Sequence, residues 1–332
     1  MKSSEPIINL QNKLRTFDNI LELSDTKFKS IESKLIIDFI KNFASSLTTL
    51  KISNCTFPED FSRPFSYAIS SCHSLTLCDF NNTDFSKQNT LLIFEELSQL
   101  KSLKYIYLKN CIKNSTNFAR LILNPANFEE LKILNISSNN INANMATSFS
   151  ELFCHLYCLE KIDFSENPLG TLGIEHLSDK ISNLKKLQQI NASRIMMNNS
   201  GLLIFFRNIH RICTLEKILL NGNEIEGPLP SEFLSIFVEF HKLNSFGISD
   251  NKLNQIGLEQ IVKLLSNNQI IKRIDFSFNG IKEEESSNII ELLNSCEWNN
   301  LQEIYWDGLF VSNASLLKMK DSLTKFKKMK DI

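Results

Sequence analysis

Residues Leu159 to Leu169 read LEKIDFSENPL. Their apolar positions are Leu159, Ile162, Phe164 and Leu169, with Asn167 between the last two. The frame recurs in LKILNISSNNI from Leu131, LEKILLNGNEI from Leu215, LNSFGISDNKL from Leu243 and IKRIDFSFNGI from Ile271. Weaker copies begin at Leu47, Leu75, Leu103, Leu187 and Leu301, and a degenerate one at Asp18 contains Leu21, Leu23 and Phe28. Of the ten spacings between these starts, eight are 28 residues, the first is 29 and the last is 30. Chance does not hold a register that long.

The frame predicts an α/β leucine-rich repeat solenoid, a right-handed horseshoe of about eleven 28-residue β-α repeats. Its long, helix-containing repeats resemble those of the ribonuclease-inhibitor class. Within each copy the third and fifth positions after the start alternate with polar residues, as a short strand requires. Ile162 and Phe164 therefore point inward, and Lys161, Asp163 and Ser165 outward. Eight residues after the start stand Asn139, Asn167, Asn223, Asn251 and Asn279. The chain turns away from the strand there, and an amide can serve the exposed backbone groups of its own and the neighbouring repeat. A structural Asn ladder is the expectation. Cys55, Thr83 and Cys111 hold the place earlier in the chain, and Ile195 interrupts the ladder.

The second half of each repeat has helical spacing. Ala146, Phe149, Phe153 and Leu156 share one helix face, as do Leu202, Phe205, Ile209 and Ile212. Pro125 ends or kinks a helix near Asn124. Gly227 to Pro230 read as a turn that delays the next helix to about Ser231, its expected N-cap. The expected organisation is a lead-in over 1–17, the repeats over 18–311, and a capping helix over 312–332. That last segment carries Lys318, Lys320, Lys325, Lys327, Lys328 and Lys330. Such a run is ordinarily a solvated face, and it also offers a weak contact to anionic membrane.

Composition narrows the function. In 332 residues, 36 Lys and Arg face 37 Asp and Glu, for a net charge of -1, so a nucleic-acid binder is not expected. Residues 1–20 have no signal-peptide core, and eight Cys then read as reduced thiols in a cytoplasmic protein. Cys72, Cys78, Cys154, Cys213 and Cys296 fall at or beside core positions. His73, His155, His176, His210 and His241 all fall in the helical half or the connection after it. His155 between Cys154 and Cys158 matches no zinc spacing. No Gly-rich phosphate loop is present, and no nucleophile, base and acid assemble on the strand face. Asp163 and Glu166 lack a further acid. The expectation is a non-catalytic chain without cofactor or metal.

The outward strand residues then form the candidate surface for a protein partner. Tyr105, Tyr107 and Ile133 adjoin each other across two strands with Lys109 nearby, a composition suited to a binding anchor. Lys161, Asp163, Arg273, Tyr305 and Asp307 extend the expected partner-binding set. The mixed charge along the face argues against a nucleic-acid groove.

Three segments carry a family resemblance. SSLTTLKISNCTFPEDF (Ser45 to Phe61), FGISDNKLNQIGLEQIVKLLSNNQIIKRIDFSFNGI (Phe246 to Ile281) and LQEIYWDGLFV (Leu301 to Val311) are similar to parts of the leucine-rich repeat domain of the CARMIL family, the linkers of capping protein and myosin I. The Trp306-Asp307 pair is the most specific match. The resemblance implies a cytoplasmic scaffold at the plasma membrane or cell cortex, with an actin-network component as partner. It supplies no capping-protein motif or Pro-rich myosin-binding segment here. The alternative is a GTPase-activating protein of the Ran-activator type, which uses the same repeats but ends in an acidic tail, where this chain is basic.

Overall fold

A computed structural model of the chain describes residues 19–85, 90–112, 115–308 and 328–329. Each repeat supplies one parallel strand, and in the repeats that start at positions 18 to 271 the second half supplies helix. The chain divides into two compact units, residues Met1–Ile141 with Glu151–Glu160 and residues Asn142–Ser150 with Lys161–Ile332.

The first unit contains β1 (Ile20–Ser24), α1 (Ser30–Phe43), β2 (Thr49–Ser53), α2 (Ser62–Ile69), β3 (Leu77–Asp79), α3 (Thr90–Leu97), β4 (Tyr105–Tyr107), α4 (Ser115–Leu121) and β5 (Ile133–Asn135). Successive strands pair in parallel, with Leu21, Leu50, Cys78, Ile106 and Leu134 in line. All five are buried, between the strand layer and the helices. Their outward neighbours are Ile20, Thr49, Leu77, Tyr105 and Ile133 on one side and Glu22, Lys51, Asp79, Tyr107 and Asn135 on the other. Strand alternation thus sets both the core and the exposed face.

After α5 (Ala143–Phe153), the second unit runs β6 (Lys161–Asp163), α6 (Gly170–Ile181), β7 (Gln189–Asn191), α7 (Asn199–Ile209), β8 (Lys217–Leu219), α8 (Ser231–Phe237), β9 (Ser245–Gly247), α9 (Asn254–Ser266), β10 (Arg273–Asp275), α10 (Glu283–Ser295), β11 (Glu303–Tyr305) and β12 (Lys328–Met329). Ile162, Ile190, Ile218, Phe246, Ile274 and Ile304 form its buried central line. The 28-residue strand-and-helix unit with this inward frame is the leucine-rich repeat fold.

Several local expectations need correction. The helix expected to fail near Asn124 ends earlier, at Leu121, and Pro125–Phe128 forms a 3-10 turn with Pro125 at its start. The missing proline N–H costs nothing in that place. Ser231 is the first helical residue of α8 and Pro230 is the cap, because proline's fixed φ already presets the entry. Cys213 is exposed rather than core, whereas Cys55, Cys72, Cys78 and Cys111 are buried. Most of the expected capping helix over 312–332 lies outside the described residues, as does the lead-in over 1–17. At Lys328–Met329 the chain is not helical: it pairs in parallel with Glu303–Ile304, completing the open edge of β11. Among the described residues, no helix is long and apolar enough to cross a membrane.

Candidate functional site: the strand face

The turns after the strands are fixed by two devices, the first of them at five strands. The first is local. The Asx side chain at the strand end accepts the backbone N–H two residues on: Asp79 from Asn81 at 3.0 Å, Asn135 from Ser137 at 3.0 Å, Asp163 from Ser165 at 3.0 Å, Asn191 from Ser193 at 3.1 Å and Asp275 from Ser277 at 3.2 Å. Asp163 also accepts from the Ser165 hydroxyl at 2.6 Å. One of its oxygens is thereby committed to the turn.

The second device links repeats. Seven residues after each start, the backbone is left-handed at Asp25, Asn54, Asn82, Asn110, Ser138, Glu166, Arg194, Gly222, Asp250, Phe278 and Gly308. Within each unit the N–H of such a residue reaches the carbonyl one residue earlier in the next repeat's turn, as in Asn54 to Asn81 at 2.9 Å and Asp250 to Ser277 at 2.8 Å. In the first unit the side chains repeat the link: Asn54 donates to Asp25 at 3.0 Å, Asn82 to Asn54 at 3.0 Å and Asn110 to Asn82 at 3.2 Å. In the second, Arg194 passes over Gly222 to Asp250 at 2.8 Å. A Cβ on Gly222 would lie 2.6 Å from the Arg194 Cγ, so the glycine there makes room for the crossing.

Below this row lie the Asn side chains. Asn139 donates to the Leu108 carbonyl at 2.7 Å and accepts from the Cys111 and Ile112 N–H groups. Asn167 donates to the Phe164 and Ser165 carbonyls. Asn223 donates to Ala192 and Leu220, both at 2.9 Å, and accepts from Ile195 and Met197. Asn251 serves Leu220 and Ile248, and Asn279 serves Ile248 and Phe276. Thr83 donates to the Ile52 carbonyl 31 residues back, the same step that Asn223 makes to Ala192. Cys111 donates to Leu108, three residues back. Ile195 offers no polar side chain; its N–H goes to the Asn223 amide oxygen.

These turns hold the outward strand residues still. In the first unit the register sets Leu77 beside Tyr105 and Tyr105 beside Ile133. Leu77, Tyr105, Tyr107 and Ile133 are all half-buried, an apolar and aromatic surface on strands that otherwise present polar groups. Lys109 follows β4, and its N–H donates to the Asn81 side chain at 2.8 Å. Asp79 lies in register beside Tyr107. Burial raises the Asp79 carboxyl above its usual range, against the Asn81 N–H and the Lys51 charge that lower it, with Glu22 adding to the rise. The Lys51 ammonium is turned to Glu22 at 2.5 Å. Burial, then Asp79 and Tyr105, raise the Tyr107 hydroxyl, with Lys51 opposing. Leu77 was not evident as a site residue from the sequence, although it stands in the same outward frame position as Tyr105.

In the second unit Lys161 and Asp163 lie on β6, four strands from Arg273 on β10. Tyr305 adjoins Asp275 in register. Arg273 pairs with Glu303 at 3.3 Å and sits 4.8 Å over the Tyr305 ring, while Tyr305 donates to Glu303 at 3.0 Å. Asp307 follows β11, and its N–H donates to Ser277. Among the described residues, no three His, Cys, Asp or Glu side chains are grouped to hold a metal, and His176, for one, lies on α6 in the helical half.

The arrangement defines the leucine-rich repeat fold. No protein-family model matches the chain. Two curated relatives match parts of it. Protein NLRC5 of Mus musculus is 24% identical over 197 residues, 51% of this chain and 10% of that protein. FERM domain-containing protein C of Dictyostelium discoideum is 29% identical over 132 residues, 39% of this chain and 9% of that protein. The aligned segments thus span about a tenth of each relative. Among solved structures, an internalin (inlF) from Listeria monocytogenes is similar at a TM-score of 0.44 and 13% identity, covering 91% of this chain and 94% of that one. The actin-binding site 2 of leiomodin-1 is similar at 0.33 and 13%, covering 52% and 84%.

Proposed function

We propose that this chain is a non-catalytic interaction scaffold that binds a partner protein on its strand face. The observation that carries the reading is the run Leu77, Tyr105 and Ile133 with Tyr107 beside it, held in register on β3 to β5. Rigid, partly desolvated aromatics are the residues that anchor protein interfaces. Lys109 flanks this anchor. Lys161, Asp163, Arg273, Tyr305 and Asp307 supply polar contacts on the second unit. The resemblance to CARMIL proteins supports placing the scaffold in actin cytoskeleton organisation, in the cytoplasm and at the cell cortex.

Affinity capture from lysate of the source cells tests this. The chain is compared with the Tyr105→Ala, Tyr107→Ala double variant, each checked for an unchanged thermal midpoint. Loss of actin-network proteins with the variant is expected. Capture unaffected by the variant would remove the aromatic anchor, and a triphosphate-loaded small GTPase as the lost protein would replace the cytoskeletal role with that of a GTPase activator.

A further inference from the structure

Along one outward row of the second unit the residues are Lys161, Gln189, Lys217, Ser245 and Arg273, in register across β6 to β10. The cations occupy alternate strands. Strands lie about 4.7–4.9 Å apart, so neighbouring cations are set about 9.6 Å apart, and Lys161 to Arg273 spans about 19 Å. Ser245 is buried, so β9 raises no bulky side chain between Lys217 and Arg273. Gly247 completes the low ground. A Cβ there would lie 2.8 Å from the Leu219 Cδ2, so the glycine makes room for that side chain.

The cations are unequally satisfied. Arg273 has Glu303 and the Tyr305 ring, yet its five guanidinium donors leave capacity for another acceptor. Among the described residues, neither Lys161 nor Lys217 has an ion pair or side-chain hydrogen bond. Lys217 is half-buried. Burial first, then Arg273 and Lys161, pull its ammonium below the ordinary lysine range, and Asp163 opposes them. Lys161 and Lys217, half-buried and without an ion pair, are poised for an incoming carboxylate beside the exposed Arg273.

Spacing selects the form of that anion. A polyproline II chain has three residues per turn and rises about 3.1 Å per residue, which sets same-face side chains about 9.3 Å apart. This matches the cation step, and three carboxylates at every third residue would meet Lys161, Lys217 and Arg273 in turn. A β-extended peptide repeats its face about every 6.7 Å and falls out of step. Nucleic acid is disfavoured because a duplex carries a charge about every 1.7 Å of axis, while Asp163 and Asp275 stand two residues along the same strands as Lys161 and Arg273.

We propose that this row binds an extended acidic segment of a partner protein, with a carboxylate at every third residue lying across the strands. The inference rests on reading the strand face as a protein-binding surface; the double Tyr variant keeps the two ideas separable.

The test is fluorescence anisotropy at low and physiological salt with a labelled (Glu-Pro-Pro)4 peptide. A peptide of equal composition with its four Glu clustered, and a single-stranded DNA 12-mer, serve as comparisons. Saturable, salt-sensitive binding to (Glu-Pro-Pro)4 is expected. It should fall at least tenfold in the Lys161→Gln, Lys217→Gln variant and be unchanged in the Tyr105→Ala, Tyr107→Ala variant. Ser245→Glu, which sets a tethered carboxylate between Lys217 and Arg273, should compete with the peptide and also weaken it. Equal binding to the Lys variant, no preference over the clustered peptide, tighter binding of the DNA, or no saturable binding would each overturn the proposal.

Discussion

The two units solve one problem with different side chains. Behind every strand the chain must turn, and the turn leaves backbone groups and a gap beneath them. In the second unit the gap is closed largely by amides: Asn223, Asn251 and Asn279 each bond to backbone groups of two repeats. The early repeats of the first unit hold the amide's place with Cys55 and Thr83, which donate to the Ser53 and Ile52 carbonyls, and add an aromatic stack two residues further on. Phe28, Phe57 and Phe85 stand at matching positions, with ring centroids 5.0 Å apart for the first pair and 5.9 Å for the second. Phe61 stacks on Phe57 at 3.8 Å, and Phe65 on Phe61 at 4.7 Å. A second row of side-chain bonds runs outside it, along Asp25, Asn54, Asn82 and Asn110. A repeat therefore does not require the buried Asn. It requires that the turn be filled and that the left-handed residue's N–H find the next repeat.

The comparison is broken most forcefully at Phe57. Phe57→Ala removes a ring stacked on Phe28, Phe61 and Phe85, and we expect a loss of about 3–5 kcal/mol, read as a fall in the urea midpoint that Phe57→Leu largely restores. An unchanged midpoint would mean that the stack is incidental. Next is Asn223→Ala, expected to cost about 1–3 kcal/mol because backbone groups are left without partners. Hydrogen exchange sharpens this case: the Ile195 and Met197 amides should accelerate well before the Leu50 amide in the first unit. Uniform acceleration would point to general loosening instead.

The smallest expected effect is at Asp79. Its carboxyl is raised by burial, so the folded chain holds that proton more tightly than the unfolded chain does. The ionised form carries a folding cost that is complete above the raised pKa and absent below the unfolded value near 3.8. Asp79→Asn keeps the acceptor for the Asn81 N–H. It should therefore raise the melting temperature at pH 7, with the gain vanishing as the pH falls through the carboxylate range. A gain that persists at pH 3 would assign the effect to something other than charge.

Much of this was legible in the sequence. The 28-residue register, the strand alternation and the ladder positions can be read because a stacked repeat imposes one environment per position, and Leu, Ile and Asn answer it with few alternatives. The left-handed row was not legible. Its members include Glu166, Arg194 and Phe278, poor choices for that backbone on local grounds; the conformation is fixed by the hydrogen bond to the next repeat, as in Phe278 to Asp307 at 2.6 Å. The binding face was half legible. Tyr105, Tyr107 and Ile133 are conspicuous as outward apolar residues. Leu77 is an ordinary leucine until its register beside Tyr105 is known, and the importance of Lys217 depends on the low profile of Ser245 and Gly247, which no local pattern announces.

The central claim is that the strand face, rather than the helical face, meets the partner. Quantitative capture with three variants side by side tests it most directly: the unaltered chain, Tyr105→Ala with Tyr107→Ala, and Tyr67→Ala on α2, where the ring is 59% exposed in the helix layer of the same unit. The Tyr67 variant should retain the partner while the double strand-face variant loses at least nine-tenths of it at an unchanged melting temperature. Retention by the double variant with loss from Tyr67→Ala would contradict it and transfer the interface to the helices.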